Sequence, residues 1–313
     1  MKAVQINAYG GVDILQVNDD IKKPAVQNEQ VLVEVHAGSI NPFDVIVREG
    51  FMQKFIPLKF PVTVGGDFAG TVIEVGEGVT GYIVGNKVFG TAITLNGSTG
   101  GFAEYASVTT GSISLMPNNL DFVKAASMPL VGSSAVQAIE DHIKLQPGQK
   151  ILIHGGAGGI GSIAIQLAKS IGAYVATTAS SADRDYVKSL GADKVVDYKN
   201  EDFQTLIKDY DAAFDTVGGE TTTKSFSVLK KGGVLVSMKG EPDKTLAQSH
   251  EVVGIGQNTK TNTDHLNRVK ELVESEKIKP QVDRVFTLNQ IKEAFAYQVG
   301  KHRGKVVLEI KKD

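Results

Sequence analysis

The sequence predicts an α/β chain in two parts: a β-rich, barrel-like head and a doubly wound parallel sheet flanked by helices. Three observations carry that expectation. Gly and Pro punctuate the first third at intervals of roughly 8–12 residues, the spacing of short strands joined by turns. From about residue 122, helical segments alternate with short apolar strands, as crossover helices over a parallel sheet require. Residues 150–161, KILIHGGAGGIG, run directly into SIAIQLAKSIGA, which reads as apolar strand, glycine turn and amphipathic helix. A length of 313 residues suffices for two domains that each bury a core.

In chain order, MKAVQINAYGG lacks the long apolar stretch of a signal peptide and reads as a first strand. Residues 31–36 (VLVEVH) alternate around Glu34, 68–75 form a strand closed by the glycines of GEGV, and 87–90 and 102–108 follow. The segment 90–101, GTAITLNGSTGG, predicts a mobile loop. The second part supplies the strands ILIHG, YVATTAS (174–180), KVVDY, AAFDTVG and GGVLVSM. After residue 262 come a helix (DHLNRVKELVESEKI), a strand (VDRVFTL), a helix (NQIKEAFAYQVG) and a closing strand, KVVLEI. The expected domains are 1–121 with 263–313, β-rich, and 122–262, the parallel sheet. A closing strand that returns to the head makes the first domain discontinuous.

Gly156, Gly158 and Gly161 fill the slots of a G-x-G-x-x-G fingerprint, so the run Gly156, Ala157, Gly158, Gly159, Ile160, Gly161 is the candidate dinucleotide-binding turn. Gly156 permits the tight turn, Gly158 leaves room for a pyrophosphate, and Gly161 lets helix approach strand. The helix amides and its positive end then face the phosphates. The plainer reading is a structural glycine turn. An NAD site ends its second strand with an acid that accepts from the ribose 2′-hydroxyl. Here Ala179, Ser180 and Ser181 stand there, Asp183 is expected past the turn, and Arg184 and Lys188 follow. Hydroxyl donors and a cation suit a 2′-phosphate, so the expected cofactor is NADPH, with Ser180 and Arg184 its contacts. Alternatively Arg184 and Lys188 are solvated surface cations. Val217 and Gly218, ending FDTVGG, and Met238 and Gly240, after GGVLVS, lie where ligands of doubly wound sheets gather.

A net charge of −2 gives no electrostatic footprint for nucleic acid or an anionic membrane. No apolar run approaches the roughly 20 residues of a membrane span, and the default location is cytoplasmic. Without cysteine there is no disulfide, thiolate nucleophile or sulfur-ligated metal. None of the six histidines forms an H-x-x-H or H-E-x-x-H spacing.

Several blocks carry a resemblance. AGSINPFDVIVREG (37–50), PVTVGGDFAGTVIEVGEGV (61–79), VGNKVFG (84–90), ASMPLVGSSAVQAI (126–139), FDTVGGE (214–220) and RGKVVL (303–308) resemble the medium-chain dehydrogenase/reductase superfamily. Within it the chain resembles the zinc-free quinone oxidoreductase branch, close to plant alkenal/one oxidoreductases and enone reductases. The resemblance implies a GroES-like catalytic domain, a Rossmann cofactor domain and a homodimer. It implies NADPH-dependent reduction of a small-molecule quinone or enone, or else an NADPH-binding protein without turnover. Zinc-dependent members place a Cys where this chain has Asn41, and His-Glu where it has Gly66-Asp67, so no metal site is expected. Asn41 becomes the candidate near the reacting carbonyl; the alternative is that it only shapes a turn before Pro42. The resemblance puts Ser134 near the nicotinamide and phosphates and Tyr198 beside the adenosine phosphate. Arg303 is a phosphate candidate or a surface cation. Asp44 and Arg48 are expected to pair, and Asp67 to bond backbone or Arg48.

Overall fold

The computed structural model describes residues 1–55 and 57–311; residues 56, 312 and 313, which the expected β-rich domain includes, lie outside them. The strands, in chain order, are β1 (Ala3–Ile6), β2 (Gln16–Asn18), β3 (Gln30–Ile40), β4 (Val62–Thr63), β5 (Asp67–Val75), β6 (Lys87–Thr91), β7 (Tyr105–Thr109) and β8 (Ile113–Leu115). There follow β9 (Lys150–His154), β10 (Tyr174–Ala179), β11 (Lys194–Asp197), β12 (Tyr210–Asp215), β13 (Leu229–Ser237), β14 (Val253–Gly256), β15 (Val282–Thr287) and β16 (Lys305–Glu309). The chain forms two compact units. The first is Met1–Leu130 with Thr261–Glu274 and Pro280–Asp313; the second is Val131–Lys260 with Ser275–Lys279.

The first unit is β-rich. Its main sheet runs β15-β16-β3-β5-β6-β8, with β7 also paired to β3, and a smaller sheet runs β2-β1-β4. The closing strand does return to the head: β16 lies antiparallel to β3, with Val306 opposite Ile40 and Glu309 opposite Ala37. β3 continues past the expected end at His36 because the small residues there admit close neighbours. A Cβ on Gly38 would stand 2.9 Å from the Phe102 ring. Phe102 itself is not in β7, where the alternation puts it. Its amide donates to Val64 O and its carbonyl accepts from Val4 N, so it is buried with Ile6, Ile40, Phe295 and Val306. Val31, Val33, Val35, Phe68, Val72 and Val108 fill a second core.

The second unit holds a six-stranded parallel sheet of order β11-β10-β9-β12-β13-β14. Ile151, Leu152, Ile153, Ala213, Phe214, Leu235 and Val236 are fully buried, the continuous apolar burial of strands covered on both faces. The direction in which successive strands are added reverses between β9 and β12, so the carboxyl ends of these two parallel strands flank the switch point, where doubly wound sheets bind ligands. The edge strand β14 has no counterpart in the sequence reading: VGIG is half glycine, and a strand with so little side chain shows no pattern. Among the described residues no helix is long and apolar enough to cross a membrane.

Candidate functional site

The glycine turn lies at the carboxyl end of β9 and opens the helix Gly159–Ile171. Its glycines have different reasons. A Cβ on Gly156 would stand 2.1 Å from Thr177 Oγ1, and one on Gly161 would stand 2.2 Å from Gly155 O. Packing alone dictates both. A Cβ on Gly158 would meet only Gly155 O, at 3.4 Å, an ordinary contact. Packing therefore tolerates a side chain at Gly158, and its absence keeps space open at the helix start, as a pyrophosphate requires.

Beside the turn, β10 ends at Ala179 and a 3-10 turn spans Ser181–Asp183. The structure corrects the expectation that Asp183 lies past this corner. A 3-10 turn brings residues three apart together, and Ser180 Oγ donates to Asp183 Oδ2 at 2.5 Å. Ser181 Oγ donates to Asp197 at the end of β11. Arg184 is neither free nor simply solvated: it donates to Val195 O at 3.3 Å and pairs with Glu201 at 3.6 Å. Tyr198 is 55% exposed, and its amide donates to Ala179 O, which holds it beside the end of β10.

At the end of β12, Asp215 is fully buried and accepts from the amides of Val217 (2.8 Å) and Gly218 (3.1 Å) and from Thr222 Oγ1 (2.5 Å). These bonds fold Val217 and Gly218 over the strand end and leave the Val217 side chain exposed. The Met238 amide donates to Asp215 O at 2.9 Å, which sets Met238 beside them; Gly240, at φ 110°, has open space at its Cβ position. Ser134 is buried, its hydroxyl 2.7 Å from Thr259 Oγ1. Next to it, Gln257 Nε2 donates to Ser134 O, while Gln257 Oε1 and Ser133 Oγ are buried without partners among the described residues. Arg303 belongs to the other unit and is exposed, two residues before β16.

In the first unit, Asn41 precedes the helix Pro42–Arg48 and is buried. Its amide nitrogen donates to Asp44 Oδ2 at 2.7 Å and its Nδ2 donates to Asp67 Oδ2 at 2.9 Å. Asn41 Oδ1 accepts from the ammonium of Lys305, which also donates to Ile40 O at 2.6 Å. Asp67 further accepts from Leu130 N at 3.1 Å. Burial pushes Asp44 up to about 7 and raises Asp67, while the Lys305 charge opposes both shifts. Burial also lowers Lys305, against the pull of the two carboxylates. The expected Asp44–Arg48 pair does not form: Arg48 turns to Gly10 O and Glu49, because Asp44 caps the helix start instead. Asp67 bonds backbone, as expected, but not Arg48. Lys305 was invisible to sequence reasoning; the one signal is a lysine inside the apolar block RGKVVL.

An alcohol dehydrogenase GroES-like domain model matches residues 27–118, and a zinc-binding dehydrogenase model matches 190–308. The NADPH-dependent alkenal/one oxidoreductase of Arabidopsis thaliana is 36% identical over 98% of this chain and 79% of its own length. The 2-methylene-furan-3-one reductase of Solanum lycopersicum is 35% identical with the same coverage. The solved structure of the quinone oxidoreductase from Coxiella burnetii, 33% identical, superposes with a TM-score of 0.90 over 99% of both chains. The chain belongs to the medium-chain dehydrogenase/reductase family.

Zinc, which the description of one matched model implies, does not fit the residues present. Gly66 offers no side chain, and the side chains of Asn41 and Asp67 are bonded to each other, with Lys305 on Asn41. Among the described residues no three His, Cys, Asp or Glu side chains gather as a donor set. A dinucleotide does fit: the open space at Gly158, the switch-point position and the unpartnered Gln257 Oε1 and Ser133 Oγ all suit a polar ligand over these strand ends.

Proposed function

We propose that this chain is a zinc-independent, NADPH-dependent oxidoreductase that reduces quinones or α,β-unsaturated carbonyl compounds. The observation that carries the reading is the Asn41–Lys305 bond, a buried ammonium hydrogen-bonded to the residue that the resemblance sets in a zinc ligand's place. The names of the tomato, Arabidopsis and Coxiella relatives support both the cofactor and the acceptor class.

When bound, NADPH supplies the hydride. The turn Gly156–Gly161 and the first amides of the helix Gly159–Ile171 take the pyrophosphate, and Ser180, Arg184 and Tyr198 border the adenosine side. Ser134, Val217, Gly218, Met238 and Gly240 border the nicotinamide side. Asn41 is the donor to the acceptor oxygen. One Nδ2 hydrogen is bonded to Asp67, and the second has no partner among the described residues. Lys305 on Oδ1 fixes which end of the amide is the donor and draws electrons toward Oδ1, which strengthens the N–H as negative charge grows on the acceptor oxygen. With hydride added to the β-carbon, the electron pair would move onto the carbonyl oxygen, where the Asn41 amide would donate, and solvent would supply the α-proton. The reading includes a homodimer in the cytoplasm, joined through edge strands; Val253 on β14 is 52% exposed.

Chelator-treated protein assayed with NADPH tests it. Undiminished reduction of a 2-enone or a 1,4-quinone is expected. Activity that disappears on chelation and returns with zinc contradicts the account.

A further inference from the structure

At the corner beyond β10 the serine hydroxyls face carboxylates. Ser180 and Ser181 are the hydroxyls positioned to greet a ribose substituent, and both donate their protons to carboxylates: Ser180 to Asp183 and Ser181 to Asp197. A hydroxyl whose proton is committed to a carboxylate presents lone pairs to a ligand, and lone pairs repel a phosphate. The Ser181 hydrogen bond holds Asp197 below the usual carboxylate range, so it is charged at neutral pH. Arg184, the nearby cation, is shared with Glu201 and Val195 O. Lys188 and Lys199 are exposed.

Resting on the reading of the glycine turn as a dinucleotide site, we infer that Asp183 is a specificity-determining residue at the adenosine ribose, where its carboxylate accepts from a free 2′-hydroxyl and so admits NADH alongside NADPH. A 2′-hydroxyl can donate to Asp183 Oδ and accept from a neighbouring group, as the acid at the end of the second strand does in NAD sites. Asp183 reaches the same corner from three residues further along, through the Ser181–Asp183 turn. A 2′-phosphate must instead displace the Ser180–Asp183 bond and draw Arg184 from Glu201. The corner tolerates NADPH without selecting for it.

Calorimetric titration of the full chain with NADPH, NADH, 2′,5′-ADP and 5′-AMP tests the inference without turnover. Asp183→Asn keeps an acceptor for Ser180 and removes the charge; a melting curve checks that it folds. In the wild type the Kd for NADH is expected within about tenfold of that for NADPH, the size of one modest charged contact. Asp183→Asn is expected to tighten NADPH and 2′,5′-ADP at least fivefold while leaving or weakening NADH and 5′-AMP. A variant that shifts the NADPH to NADH ratio less than twofold, or shifts it toward NADH, overturns the role of Asp183 and leaves the dinucleotide site standing. A wild type that binds none of the four ligands overturns the site itself, and this inference with it.

Discussion

At the scale of single residues, the three fingerprint glycines separate folding from function. Gly161→Ala puts a Cβ into Gly155 O, so it should cost at least ~1–3 kcal/mol in urea unfolding. A Cβ at Gly158 meets Gly155 O only at ordinary contact, 3.4 Å, so Gly158→Val should leave the urea midpoint nearly unchanged, while dinucleotide binding falls below detection in the calorimetric titration. A destabilised Gly158→Val that still binds would refute the assignment. Lys305→Met leaves Asp44 and Asp67 buried without their cation and should cost about 3–5 kcal/mol. Asn41→Ala should lower kcat about 100-fold with the NADPH Kd unchanged, the cost of losing one preorganised donor; single-turnover kinetics would resolve the two. The glycines were legible because each is a local backbone requirement written in consecutive letters. Lys305 was not, because its partner Asn41 lies 264 positions away and only the folded sheet joins them. Asp183 reads as past the corner for a related reason: linear spacing does not show the tight turn that brings its carboxylate back to Ser180.

At the scale of elements, β9 ends in a buried histidine with a measurable consequence. His154 Nδ1 lies 3.2 Å from Thr178 Oγ1 and Nε2 lies 3.0 Å from Ser225 Oγ. Burial lowers its pKa from 6.5 to about 4, so between those values the unfolded chain binds a proton that the folded chain refuses. Stability from this group is complete above pH 6.5 and falls as the pH drops toward 4. Asp44, raised to about 7, works in the opposite direction over much of that range, since the folded state keeps a proton that the unfolded state has lost. The two slopes oppose each other in the wild type, and His154→Asn should remove one of them. The stability gap between wild type and variant should shrink by about 2 kcal/mol from pH 7 to pH 5. Urea midpoints at the two pH values check this, and a constant gap would mean that His154 charges freely in the fold. Most strands of the two larger sheets were legible as apolar or alternating runs. β14 was not, because its glycines leave nothing to alternate, and β3 ran beyond its legible part because small residues tolerate a close neighbour without advertising it.

At the scale of the whole molecule, the alternation of helices and strands after residue 122 specified a parallel sheet, but not which strands adjoin. Order is set by which apolar faces meet, and similar Val- and Ile-rich strands read alike. The discontinuous first unit is the clearest instance: KVVLEI is legible as a strand, and its pairing with β3 is a tertiary fact. The chemistry follows the same division. The proposed phosphate-binding turn is local and readable, whereas the proposed donor is held by groups from β3, the segment before the helix Pro42–Arg48, β5 and β16. The central claim is hydride transfer to a conjugated carbon without metal assistance. Its most direct test is the fate of deuterium from C4-deuterated NADPH given with a short 2-enone to chelator-treated protein. The account predicts a saturated ketone carrying deuterium at the β-carbon. Deuterium at the carbonyl carbon, in an allylic alcohol, would contradict it.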